Sequence, residues 1–501
     1  MTTTTSYRPI DGHPAGSVTD SSPDEVAAVV ARAAAVAPVV AAASPATRLG
    51  WLERVAATLE SHGDELVRLA DTETSLGTAR LTGELARVAA QLRFYGAVAV
   101  EGSYLGVARD AATATAPSLT RVNQPLGPVA VFGASNFPFA FGVLGNDTAS
   151  ALAAGCPVVA KAHPAHVLLS VRLAELAAEA LVEAGAPSGT LGLVVGMDAG
   201  VQLVRAGQVA AVGFTGSQAG GMALWRLANE RETVIPVYAE MGTVNPVVVT
   251  RAAAAHRLDE IATGFVGSFT LGSGQFCTKP GLVLAPAGHD VAAAVGAALE
   301  AAAPQPVMLT EAIASHATSG VDDLVAAGAR VVARVPARSE GWSTDAVVLA
   351  APAAALTAGS RLLEECFGPV AVVVEYADDD ERDALIATLQ PSLAATVATD
   401  ASGADPDAPA LVMKLAGQVG RVTIDDWPTG VAWTWAQQHG GPWPATSRPD
   451  ATSVGGAALS RWVRPVAYQS VPEAWLPPAG RADNPWDVPQ RIDGELRPRQ
   501  R

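Results

Sequence analysis

Three cysteines in 501 residues (Cys156, Cys277 and Cys366) are too few for a disulfide framework. The odd count leaves at least one thiol free and fits a reducing compartment. Charge is sparse as well. Only 16% of the residues are Asp, Glu, Lys or Arg, and 49 acidic side chains outnumber 33 basic ones, for a formal net charge of -16. Phosphate backbones and anionic lipid repel such a chain, which argues against nucleic-acid and membrane partners. The N-terminus, MTTTTSYRPIDGHPAG, has no basic segment followed by an apolar core, so no signal peptide is read. The most apolar run, residues 26–43, is interrupted by Arg32 and Pro38. It reads as an alanine-rich helix of a cytoplasmic protein, because a membrane span needs about 20 strongly apolar residues. What the chain has in quantity is apolar residue, 49% of the total. That is a globular composition, with length for about three domains.

The first 100 residues read as helical. Ser22-Pro23-Asp24-Glu25 is a capping box with proline at the first helical position. A second helix starts near Ser44-Pro45, with Leu52, Val55, Ala56 and Leu59 on one face. Residues 107–125 are polar and threonine-rich and read as an exposed hairpin. A hairpin with little apolar face is marginal alone, so it is expected to add to a sheet on another subunit. From 128 onward, short apolar runs alternate with helical segments. The strands read as 128–132, 157–160, 191–195, 210–214 and 234–239, with helices at 142–154, 167–184, 199–206 and 219–230 between them. Continuous apolar strands separated by helices imply a parallel sheet covered on both faces. Ligands bind such sheets beyond the carboxyl ends of the strands, where this chain places Gly133-Ala134-Ser135-Asn136, Lys161, Gly216-Ser217 and Glu240. A second α/β region begins after Gly242, with a strand at 246–249, a helix at 257–271 and strands at 346–350, 370–375 and 393–398. The proline-rich, charged tail after about 475 reads as an irregular surface segment.

Cys277 stands in a glycine-rich turn, GSGQFCT, with no acidic neighbour, and is the best nucleophile candidate. Cys156 lies in an apolar run and reads as a buried small hydrophobe. Cys366 follows Glu364-Glu365, and carboxylates raise a thiol pKa. Glu240 ends the buried run VIPVYA, which suits either a capping role or a base. The Asn136 amide offers two hydrogens to an oxyanion, or serves only the turn before Phe137-Pro138. Lys161 and the helix start at Gly216-Ser217 suit an anionic cofactor. His163 and His166 lack nearby carboxylate or thiol ligands and read as surface histidines. No metal site is read.

Six segments in order carry a resemblance: Ser135-Asn136-Phe137-Pro138, Val158-Val159-Ala160-Lys161, Phe214-Thr215-Gly216-Ser217, Glu240-Met241-Gly242, Gly274-Gln275-Phe276-Cys277 and Glu364-Glu365-Cys366-Phe367-Gly368-Pro369-Val370. Together they resemble the aldehyde dehydrogenase superfamily over nearly the whole chain. The resemblance implies an α/β fold of two Rossmann-like domains plus a β-hairpin oligomerisation element. The cofactor-binding domain would span 1–106 and 126–242, the catalytic domain 243–455, and the oligomerisation element 107–125 with 456–475, where the hairpin pairs with a strand near 461–470. A tail would fill 476–501. It also implies Cys277 as nucleophile, Glu240 as general base and Asn136 as oxyanion donor. Lys161 would bind the adenosine ribose, Ser217 the pyrophosphate and Glu365 the nicotinamide ribose, with Ser135, Gly216, Gly221 and Phe367 beside the cofactor. The partners implied are a small aldehyde and further copies of the chain in a homodimer or homotetramer.

Finer features are similar to the α-ketoglutarate semialdehyde (2,5-dioxovalerate) dehydrogenase branch: Phe132–Pro138, Ala160–His166, Pro236–Gly242 and His439-Gly440-Gly441-Pro442-Trp443-Pro444-Ala445-Thr446. They imply oxidation of that semialdehyde to 2-oxoglutarate. The alternatives are a broad NADP-dependent aliphatic aldehyde dehydrogenase, a coenzyme A-acylating variant, or a non-catalytic relative. Three departures from the wider family stand out. Gly145 replaces a relay lysine nine residues after the asparagine, and the His-Gly-Gly-Pro segment replaces a late Pro-Phe-Gly-Gly. Pro164 stands where NAD-preferring members often carry a ribose-binding glutamate. Without that carboxylate a 2′-phosphate meets no repulsion, so NADP is expected to be accepted alongside NAD, and even preferred. Arg461, Arg464 and Lys279 are the candidates for a cation at the substrate mouth.

Overall fold

A computed structural model describes residues 2–402 and 405–499. The βαβ alternation folds into a five-stranded, wholly parallel sheet. Its order is Leu191–Val194, Val158–Lys161, Val129–Phe132, Ala211–Gly216, Val237–Met241. Side chains alternate between faces: Val129 and Val131 enter one core with Leu152 and Leu173, and Ala130 and Phe132 enter another with Val30 and Leu203. Burial on both sides explains why these strands are apolar throughout. The strand that comes first in sequence sits in the middle, so connections diverge to either side of it. A crevice therefore opens between the ends of Val129–Phe132 and Ala211–Gly216.

The second region is a seven-stranded sheet, ordered Arg330–Val335, Ala346–Pro352, Val370–Tyr376, Leu282–Pro286, Pro246–Val249, Ser392–Ala398, Val419–Ile424. Only the first pair is antiparallel. Helix Arg251–Thr270 packs Phe265 and Phe269 on this sheet, then leads into the turn that carries Cys277.

Two expectations are corrected, at the N-terminus and in the tail after 475. The N-terminal hundred residues are not all helix: Thr3–Tyr7 and Pro14–Thr19 pair as an antiparallel hairpin, too polar to show an apolar period. The hairpin at 107–125 finds its neighbours within its own chain. Leu119–Pro125 pairs with Val463–Gln469, and Val107–Asp110 with Gln490–Ile492. The tail after 475 is not irregular throughout, because Gln490–Ile492 and Glu495–Arg497 complete that sheet. Val488 is fully buried, and a Cβ on Gly102 would come within 2.5 Å of it.

Helix Pro23–Ala42 begins at the expected capping box. It is long and apolar enough to cross a membrane by length and composition. Here it sets Val26, Val30 and Ala33 against the first sheet's Val159 and Val194.

Candidate active site

Cys277 is presented by a turn in which Gly272, Ser273 and Gly274 all have positive φ, at 56°, 61° and 70°. Glycine at 274 is required by space as well as by φ: a Cβ there would lie 2.2 Å from the Gly368 carbonyl. The turn is pinned by Asn245, whose amide donates to the carbonyls of Cys277 (2.8 Å) and Lys279 (3.1 Å). Gln275 accepts from the Leu309 N–H at 2.9 Å.

Glu240 ends the fifth strand of the first sheet and is almost completely buried. The edge of that strand is covered by residues 445–447. The Met241 N–H donates to the Ala445 carbonyl at 2.9 Å, the Ser447 N–H donates to the Ala239 carbonyl at 3.1 Å, and Glu240 bridges Thr446 antiparallel. This docking brings His439 against the strand end. His439 Nε2 lies 2.8 Å from Glu240 Oε1 and 3.5 Å from Cys277 Sγ. One oxygen of the carboxylate, the ring nitrogen and the sulfur all lie within 4.8 Å of one another. The other oxygen, Oε2, accepts from the Ser453 hydroxyl.

Electrostatics set the resting state. Burial, and then the Glu240 charge, push the Cys277 thiol well above its ordinary range. A thiol so placed is protonated at neutral pH and needs a base in contact to react. Burial also works against the Glu240 carboxylate, but His439 and the Ser453 hydroxyl outweigh it and hold the pKa below the ordinary value. Asn136 is buried at the exit of the central strand, and one of its amide hydrogens goes to the Gln275 carbonyl at 2.8 Å. It therefore sits beside the nucleophile turn.

The strand exits also carry groups suited to a dinucleotide. Ser217 caps helix Gln218–Asn229 and accepts from the Gly220 N–H at 3.1 Å. In the first turn of that helix the Gly221 N–H donates to the Ser217 carbonyl at 2.9 Å, and the two glycines keep the helix start free of side chains. Gly221 is tight against the sheet, with a would-be Cβ 2.7 Å from Met241 Sδ. Lys161 ends its strand half-buried, and burial lowers its pKa to about 8. Glu365 lies against Gly242, and burial raises its carboxyl to about 7. Ser135 and Phe367 are both half-buried. Small residues, a helix N-terminus, a lysine and a carboxylate of raised pKa fit a nicotinamide dinucleotide.

Residues 2–442 match the model described as "Aldehyde dehydrogenase family". The chain belongs to the aldehyde dehydrogenase family. It is an oxidoreductase that uses NAD(P) to oxidise an aldehyde to the acid. Alpha-ketoglutaric semialdehyde dehydrogenase 2 of Azospirillum brasilense is 43% identical over 460 residues, covering 90% of this chain and 87% of that protein. The alpha-ketoglutaric semialdehyde dehydrogenase of Acinetobacter baylyi is 38% identical over 467 residues, with the same two coverages. Betaine aldehyde dehydrogenase of Staphylococcus aureus superposes with a TM-score of 0.81 at 19% identity, covering 95% of this chain and 94% of that one. PnpE solved with nicotinamide adenine dinucleotide gives 0.78 at 20%, covering 93% and 94%. These likenesses show the aldehyde dehydrogenase fold.

In this aldehyde dehydrogenase the structure also revises several sequence expectations. His439 was legible as part of a segment that departs from the wider family and is similar to the semialdehyde dehydrogenase branch, and its role was not foreseen. The signal was a histidine in place of an aromatic residue, directly before two glycines. His166 is not on the surface. It is buried, 3.1 Å from the Ala134 carbonyl and 3.2 Å from the Ser170 hydroxyl, and stacks on His163 at 5.3 Å. Two of the three mouth cations are already engaged within the chain. Arg461 pairs with buried Asp147 at 2.7 Å, and Lys279 donates to the carbonyls of Cys366 and Val370 at 2.9 and 2.8 Å. Arg464 is exposed on the strand Val463–Gln469. Gly145, in the place of the relay lysine, is where the backbone crosses itself, since a Cβ there would lie 2.5 Å from the Ala140 carbonyl.

Proposed function

We propose that the chain oxidises α-ketoglutarate semialdehyde to 2-oxoglutarate through a Cys277 thioester, with His439 and Glu240 handling the protons. The observation that carries this reading is the single ring nitrogen of His439, placed between the sulfur and the carboxylate. Nε2 takes the thiol proton as sulfur attacks the aldehyde carbon, and Glu240 steadies the resulting imidazolium. A C–S bond forms, and the carbonyl oxygen becomes an oxyanion that meets the free amide hydrogen of Asn136 and the Cys277 N–H. Bound at the crevice, a nicotinamide ring supplies the hydride acceptor that the oxidation needs. Glu240 Oε1 then withdraws a proton from water as it adds to the thioester carbon. The C–S bond breaks, the sulfur takes its proton back from the His439 imidazolium, and the acid leaves as carboxylate while its proton and the one on Glu240 pass to solvent. A carboxylate at this position favours water over coenzyme A as the acyl acceptor.

For the cofactor, Lys161 is assigned to the adenosine ribose, Ser217 with Gly216 and Gly221 to the pyrophosphate, and Glu365 to the nicotinamide ribose, with Ser135 and Phe367 nearby. Pro164 follows the lysine where an acidic residue would repel a 2′-phosphate, so NADP is accepted and preferred. Since Lys161 loses its charge as pH rises through about 8, the KM for NADP is expected to climb above that pH. Steady-state kinetics with both cofactors across pH check this, and tenfold better use of NAD would overturn the preference. The oligomeric state proposed is a homodimer or homotetramer, the location cytoplasmic, and the domain division that stated from the resemblance. The substrate assignment rests on the two semialdehyde dehydrogenases at 43% and 38% identity. A screen of semialdehydes and unsubstituted aldehydes, read by reduced-nicotinamide absorbance, tests it. The five-carbon oxo acid semialdehyde is expected to give the highest kcat/KM, and a coenzyme A requirement would contradict the hydrolytic reading.

A further inference from the structure

Beside the nucleophile turn lies a cleft of about 660 Å³ that carries a surplus of positive charge. Helix Thr78–Glu101 presents Arg80, Gly83, Glu84 and Arg87 to it, a spacing of i, i+3, i+4, i+7 that puts all four on one face. The opposite wall is formed by Phe137 and Phe276, which directly follow Asn136 and directly precede Cys277. Their rings meet edge to face at 5.0 Å. Arg80 lies 5.1 and 5.3 Å from those two rings, and Arg87 lies 5.8 and 5.7 Å from Phe137 and Phe141. Phe141 in turn packs against His439 at 6.3 Å. Arg87 is thus one aromatic ring away from the proposed proton acceptor.

The charges in the cleft do not balance. Its one acidic group, Glu84, directs Oε1 to the backbone N–H groups of Phe139 and Ala140 at 2.9 and 3.0 Å. Arg87 donates one Nη2 bond, 2.8 Å to the Val431 carbonyl, and its enclosed Nε has no partner. Outside the cleft's lining, the Arg421 guanidinium donates to the Pro428 and Gly430 carbonyls of the same segment, and its Nε is likewise enclosed and unpartnered. Burial lowers the pKa of Arg80, Arg87 and Arg421, and the latter two respond to charge on Cys277. Enclosed cation donors without an acceptor are costly, and a bound carboxylate would relieve that cost. Four C–C bonds of about 1.5 Å each put the acid group of an extended five-carbon semialdehyde about 5 Å from the carbon joined to sulfur.

We propose that Arg87, supported by Arg421, binds the distal carboxylate of the substrate. This rests on the semialdehyde reading above and names the residues that select for it. Both guanidiniums are anchored on residues 428–431, which holds their free edges in place. The test compares α-ketoglutarate semialdehyde with pentanal, an uncharged aldehyde of equal length, in the unmodified enzyme and in Arg87→Met, Arg87→Lys and Arg421→Met. In Arg87→Met the kcat/KM for the semialdehyde is expected to fall about 30- to 100-fold, mostly through KM. The value for pentanal should fall far less. Arg87→Lys should recover part of the loss, and Arg421→Met should show a smaller drop of the same selectivity. If both aldehydes lose equally in Arg87→Met and Arg421→Met, the arginines only hold the 428–431 segment and the proposal is overturned. If the unmodified enzyme itself shows no preference for the semialdehyde, the substrate reading fails and takes this proposal with it. A preference kept intact by Arg87→Met defeats this proposal alone.

Discussion

Cys277→Ala is expected to remove aldehyde oxidation, lowering kcat/KM by about 10⁴-fold or more. No other thiol can stand in. Cys156 is fully buried, with its sulfur 3.3 Å from the Trp462 carbonyl and its pKa pushed up to about 11 by burial. Cys366 is buried against the Ala317 carbonyl, and burial raises its thiol as well. The substitution deletes one sulfur from a turn held by Asn245 and Gln275 through groups outside the Cys277 side chain, so the fold should survive. Reduced-cofactor formation and intact mass after substrate addition give the readout. The variant should form no acyl adduct and no burst. A variant that still turns over would move the chemistry to another residue.

The second large effect falls on His439. With the thiol held above its ordinary pKa by burial and by Glu240, the thiolate fraction at neutral pH is small and grows as pH rises. In the intact site Nε2 removes that proton on attack, so the rate does not wait for high pH. His439→Asn leaves the proton to solvent, and kcat/KM is expected to drop about 10²- to 10³-fold at pH 7. The loss should shrink as pH increases toward the thiol pKa. The backbone bonds at 439, from its N–H to Thr452 Oγ1 at 2.8 Å and from the Ser453 N–H to its carbonyl at 2.9 Å, do not need the ring. A pH profile with the same shape as the unmodified enzyme and only a lower height would indicate a packing role.

Most strands buried on both faces were legible because their apolar runs, such as Val129–Phe132 and Pro246–Val249, have no polar face to interrupt them, although Leu282–Pro286, buried throughout, was not read. The edge strands of the second sheet were not. Arg330–Val335 and Val419–Ile424 alternate with exposed or half-exposed residues, and the threonine-rich N-terminal hairpin has almost no buried side chain. At the site, Cys277 and Glu240 stood out because one sits in a glycine turn and the other at the exit of a buried strand. His439 did not, since it reaches Glu240 only when residues 445–447 dock on a strand about 200 positions earlier, a pairing that no periodicity announces. Arg87 was not singled out in the sequence. Its enclosure depends on Phe137, Phe141 and Trp433, which come from distant segments.

The most direct measurement is the rate of Cys277 alkylation by iodoacetamide across pH, in the unmodified enzyme and in His439→Asn. If the imidazole serves as proton acceptor for the sulfur, the unmodified enzyme is alkylated readily near pH 7. The variant should then react at least tenfold more slowly and catch up only under alkaline conditions. Superimposable curves for the two proteins would contradict the shared proton, and with it the account of how this pocket works.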